Sequence, residues 1–284
     1  MLTTPTLDRL HALGLGGMAR AWTEQAETPA YHALPFEDRL GLLLDREAQE
    51  RDNRRLARHL KAAKLRLPAC IEDLDFRAPR GLDRAVMLQL ASAQWVAAHQ
   101  TVLIIGPTGV GKTYTACALT QAAIRAGHTA CYLRVPRLLA DLALAHGDGR
   151  WARLLATWAR IDVLCLDDLA LQPLTSAQAA DLLEVLEDRC QRRSTIVTSQ
   201  VPVAHWHEAL GDPTLADAIC DRLTHQAHRL ELRGESLRRD RPPAGVDAPA
   251  APVEPVPTPR TRPAEPASAR PPGHRAAGRA QEAR

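Results

Sequence analysis

The chain has 284 residues, of which 45% are hydrophobic and 24% charged, with a formal net charge of +3. That is enough for one main domain of ordinary core size plus appendages, in the composition range of soluble globular proteins. No apolar run approaches the roughly 18 residues of a membrane span, and the N-terminal MLTTPTLDRL lacks the charged and apolar regions of a signal peptide, so no membrane partner is expected and the cytoplasm is the expected compartment.

The net charge hides a split. Residues 241–284 carry seven arginines and four acids, which leaves 29 charges of each sign in residues 1–240. Any nucleic-acid binding therefore falls to local basic patches of a neutral body. Six cysteines (Cys70, Cys117, Cys131, Cys165, Cys190, Cys220) are scattered without a C-x-x-C pair, several inside apolar runs, so neither disulfides nor zinc is expected. Without cysteine partners, His205 with His207 and His225 with His228 read as surface or packing histidines.

Residues 1–67 read as a small helical domain for DNA or partner binding. Leu7, Leu10 and Leu13 repeat at three-residue spacing, Gly14, Gly16 and Gly17 interrupt, and Met18 to Gln25 resume a helical pattern. After Pro35 a long helix is expected to about Leu65, with Phe36, Leu40, Leu43 and Leu44 on one face. Its second half is basic. Arg51, Arg54, Arg55, Arg58, Lys61 and Lys64 recur at three- and four-residue spacing, offset only by Glu47, Glu50 and Asp52. Such a stripe either tracks the phosphates of a duplex or forms the solvated face of a surface helix. Pro68 to Pro79 reads as a linker, with Ile71 to Phe76 as a strap against the core, and Leu82, Val86, Leu90, Ala93 and Ala97 fit a helix feeding the next strand.

Residues 68–240 are organised around Val102 to Thr113, VLIIGPTGVGKT. Val102 to Ile105 have the length and branching of a buried strand. Gly106, Pro107, Thr108, Gly109, Val110, Gly111, Lys112 and Thr113 fit G-x-x-x-x-G-K-[ST] at every required position. A triphosphate has to be wrapped by backbone N–H groups at a helix N-terminus, which glycines permit by close approach. Lys112 then reaches the β- and γ-phosphates of ATP, and the Thr113 hydroxyl holds Mg²⁺. Of 36 Lys and Arg residues, lysine occurs only at Lys61, Lys64 and Lys112.

From there strands and helices alternate: a helix from Lys112 to near Gly127, a strand at Thr129 to Leu133, helices at Pro136 to Ala145 and Arg150 to Arg160, a strand at Val163 to Leu166, a helix at Ala177 to Arg189 and a strand at Ser194 to Ser199. The pattern predicts an α/β fold, a parallel sheet flanked by helices on both faces. VLCLDD, Val163 to Asp168, is an apolar strand ending in two acids, the pattern of a Walker B in which Asp167 holds the Mg²⁺ shell and Asp168 polarises the attacking water. The alternative is an N-cap pair following a strand. Residues 241–284 hold eleven of the 21 prolines from Pro242 onward and read as a disordered or polyproline-like tail rich in Pro, Ala and Arg, either inert or in weak contact with nucleic acid.

The chain resembles the IstB-like ATP-binding proteins, ATPase helpers of insertion-sequence transposases that are related to DnaC-type helicase loaders within the AAA+ class. The likeness rests on LHALGLGGMARAW, IEDLDF, GPTGVGKT, LCLDDLALQPL, RRSTIVTSQ, GDPTLADAICDRL and RGESLRR, spread from Leu7 to Arg239. It implies a P-loop NTPase fold of AAA+ type. By the same likeness Ser199 and Gln200 occupy the region that reads the γ-phosphate, with the assignment among Thr198, Ser199 and Gln200 left open and Gln200 standing where loader relatives commonly have asparagine. Arg222, in CDRL, matches an arginine finger acting in trans on a neighbour's ATP, which implies a homo-oligomer; without the resemblance it reads as a helix-surface arginine beside Asp221. Arg238, in GESLRR, matches a C-terminal nucleotide-sensing arginine. Asp168 stands where many AAA+ members have glutamate.

The expectation is a cytoplasmic ATPase using ATP and Mg²⁺ that binds duplex DNA with little sequence preference, assembles on it and assists a cognate transposase in target selection and strand transfer. The transposase comes from the resemblance alone. The alternatives are a DnaC-like replicative helicase loader and a non-hydrolysing, ATP-dependent DNA-binding scaffold. A small-molecule P-loop kinase lacks a second-substrate or lid motif.

Overall fold

The computed structural model describes residues 3–237. Arg238 and the expected tail lie outside those residues. The glycine pattern near the N-terminus separates two short helices, α1 (Thr3–Ala12) and α2 (Gly16–Glu27), and a 3-10 turn at Pro29–Ala33 leads into the long helix α3 (Phe36–Ala63). Helix α2 has no side-chain cap of its own. Glu47 of α3 supplies one from outside: its Oε2 accepts from the N–H of Gly17 at 2.7 Å and of Met18 at 3.2 Å. The first N–H groups of a helix carry partial positive charge, so one carboxylate satisfies both the donors and the dipole. The approach is close enough to demand glycine, since a Cβ on Gly17 would meet the Glu47 Cα at 2.7 Å.

The apolar face expected along the first half of α3 is not buried as a unit. Leu43 is buried, whereas Phe36 is 69% exposed and Leu40 and Leu44 are exposed as well. Helix α2 packs along α3 on the line of Leu43 and Glu47, and the other side of the stripe has no cover among the described residues. The second half of α3 is committed elsewhere. Leu56, Leu60 and Ala63, at spacings of four and three, turn into the core of the sheet domain, where Ala63 is fully buried. The basic residues occupy the opposite, exposed side.

The Ile71–Phe76 segment lies against the core as a strap, with Ile71 and Leu74 buried. Helix α4 (Arg84–Ala91) starts at Asp83, whose Oδ1 accepts from the N–H of Ala85 and Val86. The single helix expected from Leu82 to Ala97 is broken: Ala93 takes φ +59, and the short helix α5 (Gln94–Ala97) follows. The bend buries Trp95, whose Nε1–H donates back to the Leu90 carbonyl at 2.9 Å.

The remaining strands are β1 (Thr101–Ile105), β2 (Ala130–Arg134), β3 (Val163–Leu169), β4 (Ser194–Ser199) and β5 (Ala227–Glu231). They form one parallel sheet in the order β2-β3-β4-β1-β5. Helices α6 (Lys112–Arg125), α7 (Val135–Asp148), α8 (Trp151–Ala159), α9 (Ser176–Glu187), α10 (Trp206–Leu210) and α11 (Pro213–Thr224) complete it. Helices α4 and α6 cover one face, and α7, α9 and α11 the other. Double cover explains why every residue of β1 is buried and why the strand reads as an unbroken apolar run. Strand β5 was not expected, because AHRLE has a single buried apolar residue, Leu230, as suits an edge strand. Local chemistry sets the helix ends: a Thr175–Gln178 capping box starts α9, Asp212 followed by Pro213 starts α11, and left-handed Gly149 ends α7. Among the described residues no helix is long and apolar enough to cross a membrane.

Burial alone pushes the Glu47 carboxyl up, but the bonds from Arg51, Met18 and Gly17 outweigh it and the net direction is down. Glu47→Ala is expected to lower the unfolding free energy by about 2 kcal/mol, because two helix N–H groups lose their acceptor. A depressed carboxyl contributes stability that is present above the ordinary glutamate range near about 4.3 and lost as pH falls through the folded value. Urea titrations at pH 7 and about pH 3.5 check both points, with the gap between wild type and variant narrowing in acid.

Candidate functional site

The strand order puts the ends of β1 and β3 on either side of β4. In an open parallel sheet the C-terminal strand ends form the ligand crevice. Here those ends bring together Gly106–Thr113, Asp167 with Asp168, and Thr198–Gln200.

The loop after β1 is fixed by backbone constraints. Gly106 donates to the Ser199 carbonyl at 3.2 Å, and a Cβ at this position would meet the Leu232 carbonyl oxygen at 2.2 Å. Gly111 caps α6 at φ +100, in the left-handed region where other residues are strained. The first turn of α6 thus presents its N–H groups to the cradle, the usual basis of anion binding at a helix start. Val110 anchors the loop in the core, and Lys112 is buried along its length, with Nζ donating to the Pro107 carbonyl at 2.8 Å. Thr108 donates its hydroxyl hydrogen to the side-chain oxygen of Gln200. A cleft of about 490 Å³ opens beside the loop, lined by Thr108, Gly109, Lys112, Thr113 and Asp168 and, on the strap side, by Leu74. That volume is of the order of small-ligand sites.

Asp167 is fully buried and surrounded by donors. Thr113 Oγ1 lies 3.1 Å from Oδ1 and 3.0 Å from Oδ2, the Tyr132 hydroxyl donates to Oδ2, the Thr198 hydroxyl donates to Oδ1, and Arg66 NH1 stands 3.8 Å from Oδ2. Burial, the bond to Asp167 and its charge push the Tyr132 hydroxyl pKa up, so the phenol stays protonated and stays a donor. A carboxylate and a hydroxyl within 3 Å are hard oxygen ligands of the kind Mg²⁺ uses, one or two protein groups beside substrate phosphates. Thr113 and Asp167 therefore fit a Mg²⁺–triphosphate.

Asp168 is placed differently by its backbone. It sits at φ +63, an uncommon conformation for a residue with a side chain, with its N–H donating to Thr198 Oγ1 at 3.0 Å. Its Oδ2 accepts from both Nε and Nη2 of Arg134 at 2.9 Å. Thr198 thus ties the two acids together, Ser199 Oγ donates to the Leu169 carbonyl at 3.0 Å, and Gln200 is the residue of the three whose side chain reaches the loop.

Four participants are absent from the sequence reading: Tyr132, Arg134, Arg66 and Arg80. Tyr132 and Arg134 stand two residues apart on β2, a spacing that points both to one face, but their meaning depends on β2 lying beside β3. Arg80 is 7% exposed and donates to the carbonyls of Asp75 and, at 3.5 Å, of Val110, which joins the strap to the loop. Its Nε has no partner among the described residues.

Arg222 lies elsewhere. On α11 it is paired with Glu187 of α9 and donates to the Ala218 carbonyl at 3.1 Å, next to a cavity lined by Thr101 and Thr195 at the N-terminal ends of β1 and β4. About 16 Å of strand separates that end from Gly106, so Arg222 does not meet the loop of its own chain. Within the basic stripe Arg51 and Arg54 are engaged by Glu47 at 2.7 and 3.4 Å and Arg55 by Asp52 at 3.4 Å, while Arg58 and Lys61 on the same helix and Lys64 just past its end are exposed.

A family profile described as IstB-like ATP binding protein matches residues 8–242. An insertion-sequence ATP-binding protein of Sinorhizobium fredii is 53% identical over 240 residues, covering 84% of this chain and 98% of its own length. Another, from Pseudomonas fluorescens, is 54% identical over 203 residues, covering 71% and 88%. Among solved structures, the crystal structure of DnaI aligns with a TM-score of 0.50 at 22% identity, covering 58% of this chain and 92% of that one, a likeness of fold.

Thr113→Val keeps the shape of the side chain and removes its hydroxyl. Titration with a fluorescent ATP analogue should show that Mg²⁺ tightens binding to the wild type and that this tightening falls by about tenfold or more in the variant, while binding in EDTA changes little.

Proposed function

The chain belongs to the IstB-like ATP binding protein family, and from that premise we propose that it is a Mg²⁺-dependent ATPase of the cytoplasm that assembles on duplex DNA and assists the transposase of an insertion sequence. The observation that carries the ATPase reading is the meeting of a complete phosphate loop with the Thr113–Asp167 pair at 3.0 Å. The names of the relatives, which are ATP-binding proteins of insertion sequences, support the transposition setting. The exposed Arg58, Lys61 and Lys64 support contact with duplex phosphates through charge rather than base reading.

In this mechanism the loop N–H groups and Lys112 hold the phosphates, and Thr113 with Asp167 ligate Mg²⁺. Held by those two residues, Mg²⁺ would supply charge neutralisation to the phosphates. Gln200, held at Thr108, contacts the γ-phosphate side of the cleft. Asp168 accepts a hydrogen bond from the attacking water, which requires that it release Arg134, because a carboxylate bound twice by a guanidinium is a poor acceptor for a further proton. Arg222 completes the charge neutralisation from a neighbouring copy, a role that fits its place at the far end of the sheet. Arg238 is proposed as a nucleotide-sensing residue on the strength of the family motif. ATP binding then favours the assembled state and hydrolysis releases it.

The Arg134–Asp168 pair also supports a second reading, an ATP-dependent DNA-binding scaffold with no turnover. ATP hydrolysis measured with and without duplex DNA separates the two. For the ATPase, turnover rises with duplex, is lost in Lys112→Ala and in Arg222→Ala, and returns when those two variants are mixed. Arg134→Ala is expected to raise DNA-independent turnover several-fold. The absence of hydrolysis under all conditions, with ATP-dependent DNA binding intact, would favour the scaffold.

A further inference from the structure

Just past the end of the basic helix α3 the chain crosses the edge of the sheet beside β2. Ala63 is fully buried, Leu65 and Leu67 pack on the same core, and Lys64 ends the helix at φ +52. Arg66, between the two leucines, is thereby held on a short and well-anchored turn. Its NH1 lies 3.8 Å from Asp167 Oδ2, the oxygen that also accepts from the Tyr132 hydroxyl. The neighbouring Tyr132 hydroxyl and the charges of Asp167 and Asp168 push the guanidinium pKa further up. At 45% exposure the side chain is not needed to fill the core.

We infer that Arg66 is a positioning residue through which occupancy of the basic face of α3 is transmitted to the Mg²⁺-binding carboxylate of Asp167, an inference that rests on the DNA-binding ATPase reading above. Helix α3 has 28 residues, about 42 Å of rigid rod at 1.5 Å per residue. It packs against β2 and α6, the elements that carry Tyr132 and Thr113. When a duplex engages Arg58 and Lys61, α3 shifts as a body, as packed helices do in switching proteins, and Arg66 shifts with it. Asp167 Oδ2 is shared among Arg66, Tyr132 and Thr113, so a displacement of about 1 Å in one donor redistributes the others and changes the geometry offered to Mg²⁺. Thermodynamic linkage makes the effect reciprocal: nucleotide in the cleft must change duplex affinity by the same factor.

The test is a linkage measurement on the full chain rather than a turnover assay. Affinity for a fluorescent ATP analogue with Mg²⁺ is measured with and without a labelled duplex of mixed sequence, and duplex affinity is measured by anisotropy with and without nucleotide. For the wild type the duplex should change nucleotide affinity by about fivefold or more. In Arg66→Gln the coupling factor should fall to about one, whatever the change in the affinity for each ligand alone. Arg66→Lys, which keeps the charge, should restore part of it. Tyr132→Phe removes the shared hydroxyl without a change of shape and should weaken coupling in the same direction, which keeps the question answerable if Arg66→Gln folds poorly. Full coupling in both Arg66→Gln and Tyr132→Phe overturns the inference. So does a wild type that binds duplex with no effect on nucleotide affinity. A wild type that binds no duplex overturns the DNA reading and the inference with it.

Discussion

A carboxylate with no exposed surface is tolerated in a protein only when its lone pairs are met by donors or cations, because desolvation costs several kcal/mol per ion. Asp167 is such a group, and much of the molecule is arranged to meet that requirement. Its donors come from four separate stretches: Arg66 after α3, Thr113 in α6, Tyr132 in β2 and Thr198 in β4. The position of each is set by the elements that carry it. The acid therefore joins the helical segment, the phosphate loop and three strands at a single point.

The edge strand β2 has an unusual share in this arrangement. Through Tyr132 it holds Asp167 and through Arg134 it holds Asp168, so one strand of five residues governs both acids. It is also the strand on which α3 rests. Glu47 ties α3 to the start of α2, so the two helices form one piece. That piece, with cations on the open side of α3, meets the sheet domain at Ala63, close to the carboxylates.

The buried strands and the chemistry of the loop were legible because each is written in contiguous residues. Val102 to Ile105 have the length and branching of a buried strand, and the loop that follows needs glycine where the structure shows close carbonyls and positive φ. The helix expected across Ala93 was misread because apolar spacing does not reveal where a chain must bend to enter a strand. The face of α3 was misread because spacing shows which residues share a side, not how much of that side a partner covers.

The sequence by itself therefore determined the α/β class, the phosphate loop, the pair of acids after an apolar strand and the basic stripe on a long helix, since short-range backbone geometry and hydrophobic period fix these locally. Only the tertiary structure decided that β2 lies beside β3, that AHRLE joins the sheet as a fifth strand, and that Arg66, Tyr132 and Thr198 converge on Asp167. Those facts depend on register and strand order among segments as far apart in the chain as Thr101 and Ala227, which are set by packing of the whole core and are not encoded in any one stretch.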